Sequence, residues 1–87
     1  MSVIYLASGS HSVRPLSSLR EGTRGRIVEV RLEDSGRADR LLALGVTPGA
    51  LVTVIQTFPG IVFLCDDTEL AVERSVAAAI FVHLLEI

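Results

Sequence analysis

Cys65 and His83 are the softest candidate ligands in the chain, donors of the kind that Fe²⁺ and Zn²⁺ accept. Each lies in an apolar run, and neither has a second ligand at a spacing that marks a site. A core cysteine and a partly exposed histidine are the expectation. Asp66, Asp67 and Glu69 place three carboxylates within four residues. That suits a hard cation, but a hairpin turn also selects aspartate, and the turn is expected. A hydrolytic set needs a nucleophile, a base and an orienting group. Ser75 or Cys65 with His83 and Asp66 is a combination that a chain of this size offers by chance. There is no Walker A sequence and no glycine-rich phosphate loop after a strand. The residues therefore point to no catalytic set, no cofactor and no metal site, and to a protein that acts by binding.

The basic residues are eight arginines, with no lysine. A GC-rich genome is the first explanation, and selection for bidentate contacts is the second. Arg24 and Arg26 flank Gly25. With Arg37 and Arg40 they would form one basic surface, with a solvated face as the default. Arg40 would be solvated or paired with a nearby acid, or would meet a partner's carboxylate or a phosphate.

These residues need elements to place them. Leu16 and Leu19 are spaced for one helical turn, which Glu21-Gly22 stops. From Arg24 to Leu32 the chain alternates, with Val28, Val30 and Leu32 on one face and Glu29, Arg31 and Glu33 on the other. A short helix follows over Arg37 to Leu44, capped by Ser35 or Gly36. Ala38, Leu41 and Leu42 would face inward, and Gly45 would take the left-handed position that ends a helix. Thr47-Pro48-Gly49-Ala50 reads as a type II turn, in which Pro48 fixes φ and Gly49 supplies φ > 0. Leu51–Thr57, Ile61–Cys65, Glu69–Glu73 and Ile80–Ile87 read as further strands. Phe58-Pro59-Gly60 and Asp66-Asp67-Thr68 turn the chain, and Ser75 would cap a short turn. The expected fold is mainly β: a small antiparallel barrel of about five strands with one short α-helix.

Leu44 and Val46 sit at the helix end, where a small barrel runs out of interior. With Arg37 and Arg40 as a polar rim they form the candidate partner-binding patch, and Gly45, Pro48 and Gly49 form the turn that presents it.

The 87 residues allow one domain and burial of only ~63% of the extended surface. Two functional domains and large enzyme folds are excluded. Apolar residues make up 49% and charged residues 21%, a composition that folds. A net charge of −2 and a pI near 5.5 disfavour a strongly basic polyanion binder. Mean hydropathy is +0.53, high enough to leave apolar surface for a partner. A single cysteine excludes an internal disulfide. No leader peptide and no membrane span are expected, and the default compartment is the cytoplasm. Residues 1–14 read as an N-terminal arm ahead of a domain over 15–87. Val3–Leu6 is compatible equally with an edge strand and with a disordered arm.

The pattern Leu16-x-x-Leu19-x-x-Gly22-x-x-Gly25-x-Ile27-x-x-Val30 resembles the opening of the FeoA family. So does Arg40-Leu41-Leu42-Ala43-Leu44-Gly45-Val46-Thr47-Pro48-Gly49, followed by Val52-x-Val54. Glu69-Leu70-Ala71-Val72-Glu73-Arg74, with Ala78-x-Ile80-x-Val82, completes the match. Residues 16 to 82 are covered, and the Arg-Leu-Leu-x-Leu-Gly-x-x-Pro-Gly segment is the most specific part. The stretch from Pro59 to Asp67 is shorter than in the family, and residues 1–14 are extra. The resemblance implies a small cytoplasmic SH3-like barrel. Its partner would be FeoB, the membrane ferrous-iron transporter with an N-terminal GTP-binding domain. The same domain ends iron- and manganese-dependent repressors, so a detached regulatory domain in transcription is the alternative. A small RNA-binding barrel is a third reading. The acidic pI, the lack of lysine, and one tyrosine without tryptophan argue against it. Self-association is left open.

With no ligand cluster in the sequence, the fold should persist in EDTA with an unchanged melting temperature. A scanning-calorimetry drop of many degrees, restored by Fe²⁺ or Zn²⁺, would reveal a structural metal.

Overall fold

β2, Arg24–Val30, alternates as a strand with one wet face should: Gly25 and Ile27 are buried, while Arg24 and Arg26 are exposed. The computed structural model describes residues 12–85. Within them β1 spans Val13–Pro15 and leads into a 3₁₀ turn, Leu16–Ser18, whose Leu16 is buried. After β2 come α1, Ser35–Ala43, then β3, Leu51–Gln56, β4, Ile61–Cys65, and β5, Thr68–Val72. A four-residue helix, α2, Arg74–Ala77, precedes β6, Ile80–Leu84.

All pairings are antiparallel, in the order β1-β6-β2-β3-β4-β5. The inward residues of β2, β3, β4 and β6 converge on one apolar cluster around Phe63, Ile27, Val52 and Ile80. One sheet can enclose such a cluster only by curling. Register breaks between Ile27 and Glu29 and between Val54 and Gln56 are the bulges that bend it. Among the described residues β1 and β5 remain as edges, so the sheet is rolled but not closed. The expected class is borne out, with one strand more than the five expected: β1, which pairs Val13 with His83 and Pro15 with Phe81. Beside it, Leu84 N donates to Ser12 O at 2.8 Å. Val3–Leu6 lies outside the described residues.

α1 is fixed at both ends. Asp34 is its N-cap, and the carboxylate Oδ1 accepts from Gly36 N at 2.9 Å and Arg37 N at 3.2 Å. At the other end Gly45 has φ 93°, Gly45 N donates to Leu42 O, and Val46 N donates to Leu41 O at 2.9 Å. These are the paired bonds of a Schellman motif. Gly49 has φ 96°, and Ala50 N donates to Thr47 O at 3.0 Å, so the expected turn at Pro48-Gly49 is present.

Four expectations are corrected. The cap is Asp34, not Ser35 or Gly36, because its carboxylate lies one residue ahead of the first helical residue. Leu42 is 59% exposed, whereas Leu41 is buried: one residue along a helix turns a side chain by ~100°, and only one of the pair can face the core. Val28 is exposed, because the bulge takes up one residue between Ile27 and Glu29 and breaks the alternation. α2 has Glu73 at its N-cap, and Ser75 lies inside the helix.

Gly25 carries a tighter constraint than the turn glycines. A Cβ there would meet Val82 Cγ1 and lie 2.6 Å from the backbone oxygen of His83. Gly25→Ala should cost about 2–3 kcal/mol or more, as overpacking does, read from the urea midpoint. Gly49→Val should cost about 1–3 kcal/mol through backbone strain, with open space around it. Equal midpoints for wild type and Gly25→Ala would show that β2 and β6 are not in this contact.

Candidate functional site

Arg37, Arg40, Leu41 and Leu44 stand at i, i+3, i+4 and i+7, which is one face of α1. That face borders a groove of about 250 Å³. Leu41 forms its floor, and Leu44 stands at its lip, 46% exposed. The opposite wall is β5, through Leu70, Ala71 and Val72, and Val76 of α2 closes one end. Leu70 and Val72 are half-buried against the core, so the floor of the groove is apolar.

The groove has a charged rim. Arg37 Nη2 lies 3.5 Å from Glu73 Oε1, an exposed and long ion pair that joins α1 to the end of β5. Arg40 has no side-chain partner among the described residues. Exposed pairs of this kind stabilise by ~1 kcal/mol at most. Both guanidiniums are therefore available to an incoming carboxylate at little cost.

Three of the four expected docking residues, Arg37, Arg40 and Leu44, share this groove. Val46 does not. It is 2% exposed and belongs to the core. The Schellman closure explains this correction, because it folds the second residue past the helix back over the last turn, where Val46 joins Leu41 in the apolar cluster. The rule was readable from Gly45 alone. Leu70, Val72 and Val76 escaped the sequence reading because α1 and β5 meet only in three dimensions.

Arg24 and Arg26 do not extend the groove. Arg26 Nη1 donates to Gly49 O at 2.9 Å and so holds the turn after α1. Arg74, which the sequence reading passed over, donates to Ser17 O and Thr57 O. It ties the 3₁₀ turn to the β3–β4 loop. Arg31 pairs with Glu29 at 2.7 Å and lies 4.5 Å over the Phe81 ring. The hydrogen bond between them holds the Glu29 carboxyl below its usual range and the Arg31 guanidinium above its own.

The candidate ligands are kept apart. Cys65 is buried on β4, and its thiol donates to Gly45 O at 3.4 Å. Burial, and then the charge of Asp66, pushes that thiol up. His83 is exposed on β6, with β2 and β3 between the two strands. Asp66 takes φ 54° in the two-residue hairpin, and its Oδ1 accepts from Leu51 N at 3.2 Å. The described residues hold no group of three or more His, Cys, Asp or Glu that could grip an ion.

No curated protein matches the chain. Among solved structures, a FeoA protein from Chlorobium tepidum is 33% identical, with a TM-score of 0.76 over 83% of this chain and 70% of that one. An iron uptake regulatory protein, also a FeoA, is 27% identical, with a TM-score of 0.74 over 84% and 97%. A manganese-dependent transcriptional repressor is 21% identical with a TM-score of 0.78; the likeness takes in 84% of this chain and 42% of the repressor. At that identity it speaks for the fold alone. The family model described as the FeoA domain matches residues 14–84, which include every element from β2 to β6 and the whole of the groove. The chain belongs to the FeoA family.

Proposed function

We propose that the protein is an accessory factor of ferrous iron uptake that docks on the cytoplasmic part of a FeoB-type transporter and regulates it without chemistry of its own. Membership of the FeoA family gives the setting. The observation that carries the docking site is the groove between α1 and β5. It combines an apolar floor, an exposed leucine at its lip and, on its rim, a guanidinium with no side-chain partner among the described residues. That is the make-up of a modest interface: an apolar centre, a charged edge, and arginine in place of lysine.

A cytoplasmic location follows from this reading. Among the described residues no helix is long and apolar enough to cross a membrane. The repressor alternative has a shared fold in its favour, at 21% identity. The transport reading also draws on the FeoA relative at 33% identity.

Leu44 is the residue on which the reading turns. Its side chain reaches solvent, so Leu44→Glu should leave the circular dichroism spectrum unchanged. In the complex it would bury an unpaired charge and weaken binding to the transporter's cytoplasmic region by about 2 kcal/mol or more, the loss expected at an interface hot spot. Isothermal titration of both proteins reads this directly. A folded variant that binds as wild type does would move the docking surface away from the groove.

A further inference from the structure

β5 is an edge strand, and among the described residues its backbone bonds to β4 alone. The two-residue turn at Asp66-Asp67 closes on the pair Cys65–Thr68. Ladder bonds then fall on Cys65–Thr68, Phe63–Leu70 and Ile61–Val72. Glu69 and Ala71, between them, turn their N–H and C=O groups away from the sheet. Edge strands are usually blunted by proline, lysine, a bulge or a covering element. β5 carries one charged side chain, the exposed Glu69, but no proline or lysine, and its register against β4 runs without a bulge. α1 stands beside this edge but leaves the groove open between them.

The shape and charge of the groove specify what would fit there. The outward backbone groups of Glu69 and Ala71 can be satisfied by an extended chain, whereas a helix has already used its own. About 250 Å³ is small beside the ~300–1,000 Å³ of pockets that hold drug-sized ligands. It suits one apolar side chain resting on Leu41, Leu70 and Val76. Among the described residues Arg40 has no carboxylate, and Arg37 holds Glu73 only at 3.5 Å, so the rim calls for an acid on the incoming segment. A second copy of β5 brings no acid to Arg40 by its pairing alone, and one of its registers is opposed by charge. Antiparallel pairing centred on Ala71 would set Glu69 against Glu73 twice, and like charges placed opposite each other destabilise a sheet.

We propose that β5 accepts an extended acidic segment of a partner protein, which joins the sheet as a further strand, seats one apolar side chain in the groove and places a carboxylate on Arg40. This rests on the docking reading for the identity of the partner and adds the form in which it binds.

The probe is a short blocked peptide alternating valine and threonine around one central aspartate, titrated into the full chain and followed by amide resonances. Shifts confined to β5 and α1 are expected. Binding should weaken roughly tenfold or more when lysine replaces the aspartate, and again when alternate amides facing β5 are N-methylated. Ala71→Pro removes no ladder bond and should keep the fold while abolishing binding; if that variant unfolds, the N-methylated peptides decide on wild type. Absence of binding, indifference to N-methylation in both registers, or shifts elsewhere would overturn the proposal. So would binding that appears only after residues 1–11 are deleted, which would make the chain's own start the occupant. The transporter's cytoplasmic region is then added as competitor. If the peptide behaves as expected but the region neither binds nor displaces it, the edge stands and the transport reading fails. If the region binds wild type and Ala71→Pro alike, the transport reading stands and the edge fails.

Discussion

At Gly25, β2 comes so close to β6 that the chain has room only for a hydrogen where a side chain would begin. β2 is the strand that pairs with both β6 and β3, so the spacing there sets how tightly the sheet can roll. Six short strands must bury an apolar cluster with one sheet. The inward faces meet only if the strands approach and bend together, and the two bulges complete what Gly25 begins. Phe63 fills the space so enclosed and is fully buried.

The helix belongs to this arrangement more loosely. It sinks one leucine, Leu41, into the core, reaches the end of β5 through the exposed Arg37–Glu73 pair, and is otherwise fixed at its ends: a carboxylate on its first amides and a left-handed glycine on its last carbonyls. A helix tethered at its ends need not lie flat on the sheet, and so a groove remains between α1 and β5. The rigid closure after Gly45 and the bond from Arg26 to Gly49 fix where that groove sits. Structural precision and an unfilled surface thus come from the same few residues.

Much of the fold was legible because its signals are local. Pro48-Gly49, Gly45 after a leucine-rich turn, and β-branched runs between turn residues each name their conformation without reference to the rest of the chain. What escaped depended on neighbours in space. A bulge at Val28 leaves no mark on an alternating pattern. Leu41 and Leu42 are indistinguishable until the helix is laid against something. Of the residues that line the groove, Arg37, Arg40 and Leu44 could be picked out from the helix alone, and the β5 wall could not, because the sequence does not say which strand is the edge. Val46 was misplaced for a different reason: Gly45 was read as an end to the helix, when it also returns the following residue to the interior.

The bond from Leu84 N to Ser12 O brings the two ends of the described chain together on neighbouring strands. A domain entered and left through the same doorway asks little of whatever precedes or follows it in a polypeptide. It can be joined at either end, or set into a loop, without stretching the sheet. The fold is portable for that reason, and its likeness to 42% of a repressor shows the same fold carried as one part of a longer chain.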